Sequence, residues 1–197
     1  MAAGQKRSFM ILFIAGLILF LGIHCVSIVN HRWRDRMVEK IGEGPWKGLY
    51  SVIGLIGFVM IIAGFGDANA AGTLYDPPTW LRHISLILMI PVFPLLLAAY
   101  IPGKIKVVTK HPMLLSVKYW AFAHLLANGG IAEIMLFGFF LVWAVIDRIS
   151  VNRRPARPIP GAPEGRFNDL IAIVGGLGLY ILFLFYLHER LFGAPVM

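Results

Sequence analysis

Trp120, His124 and Asn128 recur at intervals of four, a spacing that on one α-helix places an aromatic ring, an imidazole and an amide on a single face. His24, Ser27 and His31, at spacings of three and seven, draw a second polar stripe with Gly16 on the same side. An imidazole held in such a stripe ligates a metal or a haem iron, or relays a proton. The bland alternative is a hydrogen bond between packed helices, worth about 1 kcal/mol. Both stripes lie in apolar surroundings, where an ionisable side chain is expensive and by default marks a site. His83 follows Trp80-Leu81-Arg82 and His111 precedes Pro112. Each stands at the end of an apolar run, where a capping or interfacial role competes with lining a cavity. His31 and His188 also lie at run ends, where an interfacial histidine needs no special role.

The elements that must position these residues are membrane spans. Of 197 residues 58% are hydrophobic and only 14% charged, against about a quarter charged in an ordinary soluble domain; the mean hydropathy is +0.77. Runs of about 18 to 25 apolar residues, long enough to cross a bilayer, fall at 8–29, 48–65, 84–101 and 170–187. Pro112 to Ile149 is apolar nearly throughout and as one helix would be about 55 Å long. Asn128-Gly129-Gly130 in its middle offers residues that tolerate the left-handed conformation ending a helix, so the stretch reads as two short spans. The expected architecture is all-α: one integral membrane domain over residues 1–197, a polytopic bundle of six spans. The alternative is five spans, with Tyr119 to Ile146 as one tilted helix.

Basic residues orient the bundle. Six spans leave only Lys6, Arg7, Arg82 and Arg190 on the face that carries both termini, and put the rest of the eighteen Lys and Arg residues on the other. By the positive-inside rule that richer face is cytoplasmic, so both termini are expected on the periplasmic side. The five-span alternative moves Arg148, Arg153, Arg154, Arg157 and Arg166 across and weakens the asymmetry. Residues 151–166, rich in Pro and Arg, read as an extended cytoplasmic linker facing anionic headgroups. The net charge of +8 is thereby a lipid-facing property, and nucleic acid is not an expected partner. Asp147 and Arg148 read as an interfacial charge pair of little worth. Glu133 belongs in the first turn of span five, where the helix dipole favours a carboxylate. Ala172 and Gly176 give the small-xxx-small spacing of a helix-packing surface.

Several activities have no residues to carry them. There is no His-Glu-x-x-His helix, no serine nucleophile elbow and no phosphate-cradling glycine loop after a strand. One cysteine, Cys25, excludes a disulfide framework or a cysteine-rich metal site. Histidines on separate helices remain compatible with bis-histidine haem ligation, whose ligands need no fixed spacing.

Leu21-Gly22-Ile23-His24, Gly48-Leu49-Tyr50-Ser51, Trp80-Leu81-Arg82-His83 and His111-Pro112-Met113-Leu114-Leu115 occur in that order. The more specific Lys118-Tyr119-Trp120-Ala121-Phe122-Ala123-His124-Leu125-Leu126-Ala127-Asn128-Gly129 and Trp143-Ala144-Val145-Ile146-Asp147-Arg148-Ile149 follow. In these segments, which span most of residues 12 to 150, the chain resembles the NnrU family of membrane proteins; the tail after Arg153 carries little of the likeness. The resemblance implies a bacterial inner-membrane protein associated with denitrification and nitric oxide metabolism, and a relation to zeta-carotene isomerase. That enzyme uses haem b to isomerise a cis double bond in a carotenoid precursor. Its candidate axial histidines fall on His24 and on His124. Where the plant isomerase pattern has a cysteine three residues before the second histidine, this chain has Ala121, a departure that bears on redox-dependent ligand change and hence on isomerase chemistry.

The resemblance thus implies haem b as cofactor and the bilayer, a lipid-soluble substrate or denitrification proteins as partners. A non-enzymatic transporter or assembly factor is the alternative. Six spans put His24 about 6 to 8 Å from the cytoplasmic boundary and His124 a similar distance from the outer one. One iron reaches both only if the long segment is a single tilted helix; pairing His83 with His124 on the outer side is the other arrangement.

Overall fold

The computed structural model describes residues 3–69, 71–157 and 159–193. Its regular structure there is helical: α1 (Ala3–Val29), α2 (His31–Ile41), α3 (Glu43–Asn69), α4 (Thr79–Met89), α5 (Val92–Ala98), α6 (Lys104–Thr109), α7 (Pro112–Ala127), α8 (Ile131–Val151), α9 (Asn168–Leu182), a π-helical turn (Phe183–Leu187) and α10 (His188–Phe192). Five stretches are long and apolar enough to cross a membrane, at 8–29, 43–66, 79–98, 131–151 and 168–192. α1 and α3 are apolar around most of their circumference, as lipid-facing helices are and soluble ones are not. The protein is a multi-pass helical membrane protein. α7, at 16 residues, is about 24 Å long and falls short of those stretches, so five of the six expected spans reach membrane length.

The expected division of the long apolar stretch occurs: helix stops at Ala127 and resumes at Ile131, so Tyr119 to Ile146 is not one helix. The left-handed turn expected at Asn128-Gly129-Gly130 is not used, since the positive φ angles among described residues fall at Gly42, Gly72, Lys110 and Gly193. The glycines serve close approach instead. Leu74 N donates to Gly129 O (2.8 Å) and Ile131 N to Gly72 O (3.0 Å), with Thr73 bridged antiparallel to Gly130. A Cβ on Gly129 would fall on the Tyr75 carbonyl oxygen. Glu133 sits in the first turn of α8 as expected, and its carboxylate accepts from Gly130 N at 2.9 Å.

The chain forms two compact units. The first comprises residues 1–76 and 128–155, with α1 packed along α3 and α8 against both. Glycines permit the close α1–α3 approach: a Cβ on Gly16 would collide with Ile61 N and the Gly57 carbonyl, and one on Gly57 with Phe20 N. Phe13, Leu17, Ile61, Ala68 and Ala132 form the buried core of this unit. Between the first two long helices lies α2, too polar to register as a span. Asn30 caps it by accepting from Trp33 N at 2.9 Å, which also ends α1 and puts His31 on a different helix from His24. The polar stripe expected along span one therefore stops before His31.

The second unit comprises residues 77–127 and 156–197. Span three is interrupted where Pro91 cannot donate: Ile90 N turns to Ile87 O (3.2 Å), and the Leu86 carbonyl accepts from Tyr180 Oη (3.0 Å). Ser85 Oγ donates to Ala123 O (2.7 Å) and Ser116 Oγ to Val92 O (2.8 Å), tying α4 and α5 to α7. Ala172 and Gly176 are buried against α5, where a Cβ on Gly176 would strike Pro94. Asp169, at the start of α9, accepts from Lys104 N (2.8 Å) and Ile105 N (3.0 Å), capping α6. Between 159 and 165 the linker is irregular but held, with Ala162 N donating to Tyr100 O (2.8 Å) and Asn168 Nδ2 donating to Pro163 O (2.9 Å) and Pro102 O (2.8 Å).

Candidate functional site

His24 belongs to the first unit. Its ring stacks on Phe20 (centroids 4.3 Å, planes 25° apart), meets Tyr50 edge-on (5.0 Å, 63°) and stands perpendicular to Trp143 (5.9 Å, 90°). These aromatics come from α1, α3 and α8, so three helices build the surroundings. Nδ1 lies 2.6 Å from the Phe20 carbonyl oxygen. A carbonyl can only accept, so Nδ1 carries the proton and Nε2 the lone pair. That Nε2 has no hydrogen-bond partner among the described residues. Beside it the buried Trp143 Nε1 is a donor with no acceptor among the described residues, a situation that native interiors rarely leave unexplained.

One turn beyond Trp143, Asp147 is buried. Its partner is Arg154, across the end of α8, with Nη2 to Oδ1 at 2.9 Å. Arg148, the partner expected from adjacency, bonds Asn152 instead. Consecutive residues on a helix point about 100° apart, whereas Arg154 lies where the chain has left the helix and can fold back.

His124 belongs to the second unit. Its Nδ1 donates to Trp120 O at 2.8 Å, the same tautomer as His24, and its ring lies 5.4 Å from that of Trp120. Asn128 does not continue this stripe, because α7 ends at Ala127. His188, which the sequence offered no reason to single out, lies with its ring centroid 6.3 Å from that of His124 and the planes 23° apart. It stands directly after the π-helical turn, a widened geometry frequently found at functional sites. His83 is exposed near the start of α4, and His111 is half-buried ahead of α7, where its carbonyl accepts from Leu115 N (3.2 Å). Neither is ranged against His124 in the way His188 is. No cluster of three or more His, Cys, Asp or Glu suited to a bare metal ion occurs among the described residues.

Comparison with known families decides the identity, since a model described as "NnrU protein" matches residues 12–196. The chain belongs to the NnrU family. The NnrU match includes the tail after Arg153, which had been expected to carry little of the likeness; that tail supplies α9 and His188. No curated protein and no solved structure shows significant similarity to this NnrU chain.

Proposed function

We propose that this NnrU protein binds haem b through intramembrane histidines and acts in redox or nitric oxide chemistry linked to denitrification, in the bacterial inner membrane with both termini periplasmic. The observation that carries the reading is the surroundings of His24: an imidazole with its lone pair on Nε2, walled by Phe20, Tyr50 and Trp143, beside a buried indole N–H with no acceptor among the described residues. The donor set fits the cofactor. A bare ion asks for three or four protein ligands, while a haem brings four nitrogens of its own and asks the protein for one or two. Fixing Nδ1 on a backbone carbonyl orients the ring and raises the basicity of Nε2; His24 and His124 both have this support.

His24 and His124 are each candidate axial ligands. His188 joins them, in place of His83, as a candidate beside His124, because its ring lies 6.3 Å from that of His124. A bound haem supplies electron transfer and a site for a small ligand or a polyene double bond. Of the chain's own residues, His24, His124 and His188 would hold the group, and Phe20, Tyr50 and Trp143 would shield it from water on the His24 side. Isomerase chemistry on a lipid-soluble polyene is a specific form of this reading.

The test is absorption spectroscopy of the detergent-purified protein, oxidised and dithionite-reduced, with pyridine haemochrome quantification. Stoichiometric haem b is expected. His24→Ala, His124→Ala and His188→Ala, read one at a time, identify the ligands by loss of haem or a change of the Soret and α bands. A protein colourless after haem addition, or three variants with unchanged spectra, overturns the assignment. The interruption of span three at Pro91 favours a second reading, a transporter or assembly factor, because broken helices line polar cavities in transporters. Solute uptake by proteoliposomes of the colourless protein would establish it.

A further inference from the structure

The first unit carries a cleft of about 280 Å³ where α1 and α2 face the end of α8. One wall is apolar, from Ile28, Ile146 and Ile149; the other presents His31, Ser150, Arg153 and Arg154. Ile146 and Ile149 are about half exposed, continuing the lipid-facing surface of α8 into the cleft. Arg154 gives one nitrogen to Asp147, and its Nη1 is buried with no partner among the described residues. Arg153 is exposed and makes no ion pair among the described residues. The cleft lining itself carries two guanidinium groups and no carboxylate, the ion pair of Arg154 being with Asp147 outside that lining. Trp33 on α2 is exposed, as interfacial tryptophans are, and its ring packs on Trp46 at 6.0 Å.

We propose that this cleft binds the phosphate of an anionic phospholipid headgroup. Guanidinium groups match phosphate oxygens in geometry as well as charge, and Ser150 adds a hydroxyl donor. Soluble phosphate would need only the basic wall, whereas the isoleucine wall gives acyl chains a place beside it. Basic pockets of this kind between spanning helices hold anionic lipid heads. Neither His24 nor His124 lines the cleft.

The experiment is native mass spectrometry of the full chain in detergent with phosphatidylglycerol, phosphatidylcholine or inorganic phosphate. Arg153→Gln and the double variant His31→Gln/Arg153→Gln are compared with Lys110→Gln, a charge-matched control outside the cleft. Arg154 is kept, so the Asp147 ion pair stays intact. One phosphatidylglycerol is expected to bind in preference to phosphatidylcholine, about fivefold more weakly in Arg153→Gln, weaker again in the double variant, and unchanged in the control. Equal retention of the two lipids, or phosphatidylglycerol binding that survives the double variant, overturns the proposal. Competition by millimolar phosphate to the same extent as by the lipid reassigns the cleft to a soluble anion.

Discussion

The Asp147–Arg154 pair is a test of burial at the residue scale, since the two side chains are 12% and 14% exposed. Asp147→Ala leaves a guanidinium largely out of water without its partner, which costs about 3–5 kcal/mol. Replacing both, as Asp147→Leu/Arg154→Met, removes the unpaired charge along with the bond and should recover most of that loss. Thermal unfolding in detergent reads both, and a single variant as stable as the parent would show the pair to be solvated. None of this was legible in the chain, where Asp147 has Arg148 beside it and Arg154 lies seven positions away past a helix end. The histidines divide in the same way. Composition and hydropathy sufficed to mark His24 and His124 as costly in an apolar setting, but the ring facing His124 is contributed by His188, sixty-four positions on, and no local pattern connects them.

At the scale of elements, glycines and caps decide which helices meet. Gly57→Leu drives a side chain into the backbone of α1 at Phe20, so α1 and α3 must separate; the expected cost is about 1–3 kcal/mol or more, seen as a lowered melting temperature and broadened size-exclusion peak. Asp169→Ala should cost about 1 kcal/mol, because two amide donors at the start of α6 lose their acceptor. Hydrogen exchange at Lys104 and Ile105 would rise, and unchanged exchange there would contradict the cap. The long helices were readable because twenty apolar residues admit few other fates. Hydropathy does not mark α2, because its residues are largely charged, although Asn30 before it and Gly42 after it are ordinary start and stop residues. Likewise a proline such as Pro91 is a helix breaker by type, but the hydroxyl that satisfies the freed Leu86 carbonyl comes from Tyr180, on a helix ninety-odd residues later.

For the whole molecule, membrane character and family are fixed by apolar length and by a match that runs nearly end to end, while orientation rests on the distribution of charge. With Cys25→Ser removing the one native thiol, single cysteines at Leu74 and Ala156 report it. A membrane-impermeant maleimide applied to intact spheroplasts should label Leu74→Cys directly and Ala156→Cys only after permeabilisation; the reverse pattern would invert the protein. The division into units adds a temporal consequence. The first unit is assembled from two stretches of chain, 1–76 and 128–155, and Trp143, which walls His24, belongs to the later one. A nascent chain that has delivered α1 and α3 to the bilayer has therefore made the imidazole but not its enclosure. The surroundings of His24 close only when ribosome and insertase have released α8, so premature termination after α3 and before α8 yields a membrane-embedded histidine with the Trp143 side missing.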